Sequence, residues 1–129
     1  GNRFWPAAHR AGLISKDRDI HHALVHHGIG FTDLVRRTTR RAGEIDPPEF
    51  RSGFERVKSL IEWLKPKVVC FVGLSGWRIV SNSKAKAGIQ PASIGLTTVY
   101  VMPHPSGLNA HASLKDLIGH FSKVRELNA

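Results

Sequence analysis

The chain has 129 residues, with nineteen Lys/Arg against ten Asp/Glu and a formal net charge of +9. Its 41% hydrophobic and 22% charged content is that of a folded domain, which argues against a disordered or fibrous chain, and the basic excess suits a polyanionic partner, most simply nucleic acid. The one cysteine, Cys70, rules out an internal disulfide framework and leaves no Cys/His zinc pattern; no apolar run approaches the ~18 residues of a membrane span. The length fits one domain over 1–129, and we expect a reducing, cytoplasmic setting.

In chain order, Phe4, Ala7, Ala8 and Ala11 fall near helical spacing, with Pro6 tolerable in a first turn and Gly12 at the end. A second helix is expected over 16–26, with Ile20, Leu24 and Val25 on one face. Residues 28–35, Gly28 to Val35, read as a short apolar strand or turn segment, followed by the basic loop 36–41. Asp46-Pro47-Pro48-Glu49 opens a third helix, with an acid at the cap and prolines in the first turn. Phe50, Phe54, Val57, Leu60, Ile61 and Leu64 share one face of it, and Lys65-Pro66-Lys67 ends it. Val68 to Val72 is a continuous apolar run, the pattern of a strand buried on both faces. Cys70 sits inside it as a core residue. Residues 73–80 turn into a short helix, and 82–96 are a basic connector. Thr97 to Met102 is the next strand. Ser113 and Asp116 form a capping pair for a last helix carrying Leu114, Leu117, Ile118, Phe121, Val124 and Leu127. Strands alternating with helices imply a three-layer α/β/α sandwich around a mainly parallel sheet.

The stretch His104-Pro105-Ser106-Gly107-Leu108-Asn109-Ala110 is the most informative. It follows a buried strand and precedes an amphipathic helix, so it lies at the C-terminal end of a sheet strand, where open α/β sheets bind ligands. It resembles the second signature motif of the uracil-DNA glycosylase superfamily. Four blocks of the chain are similar, in order, to the mismatch-specific uracil/thymine-DNA glycosylase family. They are Asn2-Arg3-Phe4-Trp5; Gly30-Phe31-Thr32-Asp33-Leu34-Val35 with Arg37-Thr38-Thr39 and Arg41-Ala42; Pro66-Lys67-Val68-Val69-Cys70-Phe71-Val72-Gly73; and Val101-Met102-Pro103 with the loop above. The family's first motif, a Gly-Ile-Asn-Pro-Gly-like loop whose Asn positions the attacking water, is not among these residues. The resemblance places it, with the aromatic that stacks on the base, upstream of Asn2. We therefore expect the natural chain to begin earlier and the sheet here to lack its first strand. The last motif often opens on Asn; here it opens on His104, as in the archetypal uracil-DNA glycosylases. The wedge ends Leu108-Asn109-Ala110, without the arginine of some relatives.

The resemblance implies a repair glycosylase that flips uracil out of mismatched duplex DNA and hydrolyses its N-glycosidic bond. Thymine and damaged pyrimidines are further candidate bases. Leu108 would fill the vacated space; the competing reading is a core leucine, disfavoured by its lack of periodic partners. His104 would donate to the leaving base as charge develops, or is an ordinary loop histidine bonded to backbone. Asp33 is the acid–base candidate, acting on water or on the sugar cation; otherwise it is a cap or a partner of the nearby arginines. The DNA-binding set is Asn2, Arg3, Arg36, Arg37, Arg40, Ser106, Gly107, Leu108 and Asn109, with Arg41, Lys84 and Lys86 as further phosphate contacts or solvated cations. His22 and His26 have the i, i+4 spacing that can hold zinc, but the sequence places no third ligand, and a solvated helix face is the simpler reading. No metal or organic cofactor is implied, and a monomer acting on double-stranded DNA is expected. The alternatives are a DNA-binding relative without activity, and a branch that prefers single strands.

Overall fold

The computed structural model describes residues 2–35 and 46–129. Its elements are α1 (Phe4–Arg10), α2 (Ile20–His27), α3 (Pro47–Leu64), β1 (Val68–Val72), α4 (Leu74–Val80), β2 (Gly88–Ile89), β3 (Thr98–Met102) and α5 (Leu114–Leu127). The sheet runs β1-β3-β2. β1 and β3 are parallel, with Val68 opposite Thr98 and Val72 opposite Met102. β2 is antiparallel to β3, with Ile89 opposite Tyr100.

Side chains of a strand alternate between faces, and here each face meets its own core. Tyr100 and Met102 join Ala7, Ala8, Ala11, Ala23, Leu117, Phe121 and Val124, with Val68 and Cys70 alongside. Val99, Val101 and Phe71 join Val57, Ile61, Trp77 and Ile94. Helices α1, α2 and α5 thus feed one core, and α3 and α4 the other. Burial on both faces is why β1 and β3 read as unbroken apolar runs. It also pushes the Cys70 thiol up to about 12, as suits a core residue.

Local chemistry sets the helix ends. Asp19 accepts from the His22 backbone N–H at 2.8 Å, so α2 starts at Ile20. Gly28, in the left-handed region at φ +66, ends it. Pro47 and Pro48 occupy the first turn of α3, although the Asp46 side chain makes no cap bond. Ser113 Oγ accepts from Asp116 N at 3.1 Å, and Asp116 accepts from Ser113 N at 2.9 Å, completing the expected capping box of α5.

Three expectations need correction. Residues 28–35 form no strand; Phe31 turns to the aromatic residues of α1 while Leu34 joins the opposite core, so the segment crosses between layers instead of pairing. The second helix starts at Ile20 and not at 16; its Ile20, Leu24 and Val25 are exposed, and only Ala23 is buried. The connector 82–96 contains β2, which makes the sheet mixed. The first helix ends as expected near Gly12: Ala11 is its C-cap and Gly12 follows in the left-handed region at φ +76. Among the described residues no helix is long and apolar enough to cross a membrane.

Candidate active site

The parallel register brings the C-terminal ends of β1 and β3 side by side. Gly73 N donates to Met102 O at 2.9 Å, tying the two strand ends. Gly73 stands at φ +133, a region L side chains rarely adopt, and its Cα faces the His104 ring: a Cβ there would lie 3.7 Å from His104 Cδ2. His104 is exposed at the mouth of this junction.

The loop beyond it is bonded to itself. His104 Nδ1 accepts from Ser106 N at 3.2 Å. A backbone N–H can only donate, so the neutral ring carries its proton on Nε2, which is left as a donor. Ser106 Oγ accepts from Leu108 N at 3.1 Å, and Asn109 Nδ2 donates to His104 O at 3.0 Å. Asn109 N donates to Ser106 O, also at 3.0 Å, and Asn109 Oδ1 accepts from His111 N at 3.1 Å. The Leu108 side chain, at the tip beside Gly107, is 96% exposed.

The N-terminal block meets this loop. Asn2 and Ser106 form an isolated antiparallel bridge, and Asn2 Oδ1 accepts from Phe4 N at 2.8 Å as α1 begins. Arg3 N donates to Pro105 O at 2.9 Å. The Arg3 guanidinium reaches four carbonyls of the loop, those of Pro105, Ser106, Asn109 and Ala112. Its donors therefore end inside the protein, whereas the sequence had grouped Arg3 with residues that touch DNA. Nothing in the local pattern predicts this, because the partners lie more than a hundred residues away.

Asp33 stands apart. Arg56 donates to Thr32 Oγ1 at 3.3 Å and to the Asp33 backbone oxygen. Among the described residues its carboxylate has no partner, and no hydrogen bond joins it to the His104 loop. Phe31 stacks near Phe4 and Trp5, with centroids 6.0 and 5.5 Å away. Arg36, Arg37 and Arg40 lie outside the described residues, as do Arg41 and most of the basic loop.

Two open grooves, each about 540 Å³, flank the strand ends without including His104. One is bordered by Pro103, His111, Lys115 and His120, with Tyr100 beneath. The other runs between Leu34 and Arg56 over Gly53. In the first, the Tyr100 hydroxyl and His120 Nδ1 are 2.6 Å apart. Burial pushes the Tyr100 hydroxyl up and the His120 imidazole down, Asp116 partly opposing the latter. On α2, the His22 and His26 rings stand 4.2 Å apart, and His22 Nδ1 is buried without a partner. Among the described residues no group of three metal-ligating side chains gathers.

A short sheet buried on both faces, with a polar loop closed over the ends of its parallel strands, defines an α/β protein whose ligand edge is the C-terminal one. The family model of the uracil DNA glycosylase superfamily matches residues 1–126, and the chain belongs to that superfamily. Membership carries glycosylase-type hydrolysis, DNA repair by base excision, and uracil-containing DNA as the substrate class.

Proposed function

We propose that the protein is a monofunctional glycosylase of the mismatch-specific branch, removing uracil from mismatched duplex DNA by base flipping. Thymine and damaged pyrimidines are further bases within this reading. The observation that carries it is Leu108: an apolar side chain 96% exposed at the tip of a loop whose polar groups are otherwise bonded to one another. Exposing a leucine on a rigid turn suits a group that enters the stack as the base leaves it.

The chemistry follows from the strand ends. The C1′–N1 bond breaks, its electron pair leaves with the base, and charge gathers on the uracil oxygens. The Nε2–H of His104 donates to that charge, the kind of interaction that strengthens as the bond breaks. Water adds to C1′ and gives up a proton. Asp33, with no competing partner among the described residues, is the carboxylate of this chain that takes it or faces the sugar cation. Asn2, Ser106, Gly107 and Asn109 line the DNA-facing loop, and Arg36, Arg37 and Arg40 supply phosphate contacts. The protein acts as a monomer in the cytoplasm, associated with the nucleoid in a bacterial cell. The helices on the two sheet faces are the outer layers of a three-layer sandwich.

His104 favours a second reading, a branch that prefers single strands. Single-turnover uracil release in EDTA separates them, using G·U duplex, A·U duplex and single-stranded oligonucleotides. We expect G·U to be fastest, and Leu108→Ala to slow A·U more than G·U, because a mismatch already lowers the unstacking cost of a few kcal/mol. Fastest release from single strands, with Leu108→Ala without effect, establishes the second reading; no release from any substrate leaves a DNA-binding relative.

A further inference from the structure

The geometry points to Arg3 as the positioning residue of the Leu108 loop: it holds residues 105–112 in one shape before DNA arrives, and it does not touch phosphate. The inference rests on the reading of Leu108 as the wedge.

The guanidinium is planar, with donors fixed in a fork. Here each of the three nitrogens of the fork donates to backbone, and four of its five N–H groups are used. Nε donates to Pro105 O at 3.3 Å, Nη1 to Ala112 O at 2.7 Å, and Nη2 to Ser106 O at 2.7 Å and Asn109 O at 3.4 Å. These carbonyls span the loop from the residue after His104 to the residue before the Ser113 cap. Four carbonyl dipoles aimed at one point repel one another, so the arrangement exists only with a cation at its centre. The two shortest bonds are charge-assisted and come from different nitrogens, which fixes the loop's orientation as well as its closure.

The loop's own bonds depend on this arrangement. Leu108 N and Asn109 N donate to Ser106, whose carbonyl is one of the four that Arg3 holds. Arg3 is in turn anchored at the start of α1, where Ala7, Ala8 and Ala11 are buried in the core. The wedge is therefore mounted on the core largely through the Arg3 side chain, beside the Asn2–Ser106 bridge and the Arg3 N–Pro105 O bond, and the entropy of ordering the loop is met during folding instead of at binding. A loop that must order at each encounter would present Leu108 in many positions. Misplacement of an acting group by ~1 Å costs on the order of a hundredfold in rate.

Arg3→Lys keeps the charge and the stem but removes the fork. We expect it to exchange the amides of Leu108 and Asn109 faster than wild type while β3 amides stay protected. Uracil release should slow about tenfold or more, more on A·U than on G·U. DNA affinity and its salt slope should stay as in wild type, since no phosphate contact is lost. Methylguanidinium added to Arg3→Ala should restore part of the rate. A salt slope lower by about one unit would make Arg3 a phosphate contact and overturn the inference. So would wild-type amides of Leu108 and Asn109 that exchange as fast as an open peptide, a measurement that needs no variant to fold. Equal slowing on both duplexes, or unchanged exchange in Arg3→Lys, also overturns it. If wild type releases no uracil, the glycosylase reading fails, while the exchange measurements still decide whether Arg3 holds the loop.

Discussion

The loop after β3 and the segment after α2 are both irregular, and both carry residues that the sequence ties to chemistry, yet hydrogen bonds dominate the first, while the second combines packing with the bonds from Arg56 to Thr32 and Asp33. The loop at 103–112 is held by hydrogen bonds, almost all of them to backbone, with Arg3 at their centre. The segment at 28–35 is held by packing at two ends: Phe31 against Phe4 and Trp5, and the Leu34 carbonyl over Gly53. A hydrogen-bonded loop has directional constraints, so it can aim His104 and Leu108. A packed segment has fewer, so Asp33 is placed by its neighbours, and its carboxylate has no partner among the described residues. The comparison teaches that the catalytic weight should fall on the first region and the stability weight on the second.

The largest effect expected is His104→Ala. It removes the imidazole beside the Gly73–Met102 strand junction and should lower single-turnover release by about 10²–10³-fold, the usual cost of losing one donor to developing charge. DNA affinity should change little. If affinity falls in step with rate, His104 is a binding residue and the contrast between the regions weakens.

The second region is tested through Gly53. A Cβ at that position would collide with the Leu34 carbonyl. Gly53→Ala should therefore cost about 1–3 kcal/mol by overpacking, read from denaturant unfolding. Asp33→Asn, by contrast, should leave the unfolding midpoint near wild type and slow base release. A large stability loss in Asp33→Asn with normal specific activity would make the carboxylate structural and remove it from the chemistry.

The same contrast explains how much was legible in the sequence. β1 and β3 were visible because double-sided burial writes itself as an apolar run, and α5 because Ser113 and Asp116 announce its start. His104 and Leu108 stood out through the family resemblance of their loop; the structure places Leu108 at an exposed tip and His104 at the strand ends. β2 was not: two residues, Gly88 and Ile89, pair by backbone alone and leave no periodic trace. The apolar face of α2 did not show which side docks, because the helix packs through its smallest side chain, Ala23, and the larger Ile20 and Leu24 mark the outside. The 28–35 segment carries the apolar content of a strand but spends it on two separate cores. The role of Arg3 was out of reach, since a fork on distant carbonyls follows from topology and not from spacing.

The smallest effect expected lies beside the loop, where Tyr100 and His120 meet. Tyr100 is on β3 and buried, and the groups around the pair are Asp116 and Lys115 on α5, His111 before it, and Cys70 on β1. Burial lowers the His120 value below its ordinary 6.5, with Asp116 pulling the other way. The folded state therefore favours the neutral ring, whose Nδ1 accepts from the Tyr100 hydroxyl. Below that ordinary value the unfolded chain binds the proton more readily. The stabilisation is thus complete above 6.5 and is lost as pH falls through the lower folded value. His22 has the same sign, lowered by burial and by His26, so the whole protein loses stability on acidification through both. His120→Asn keeps an acceptor near the Nδ1 position but does not titrate. Its melting temperature should fall less steeply than that of wild type between about pH 7 and pH 5, the window in which histidine changes charge, and the slope that remains belongs to His22. Identical slopes would show that the Tyr100–His120 contact carries no pH dependence and that acid acts on α2 alone. The groove wall next to the Leu108 loop would then be insensitive to protonation, and the loop's shape would rest on Arg3 without a titrating support.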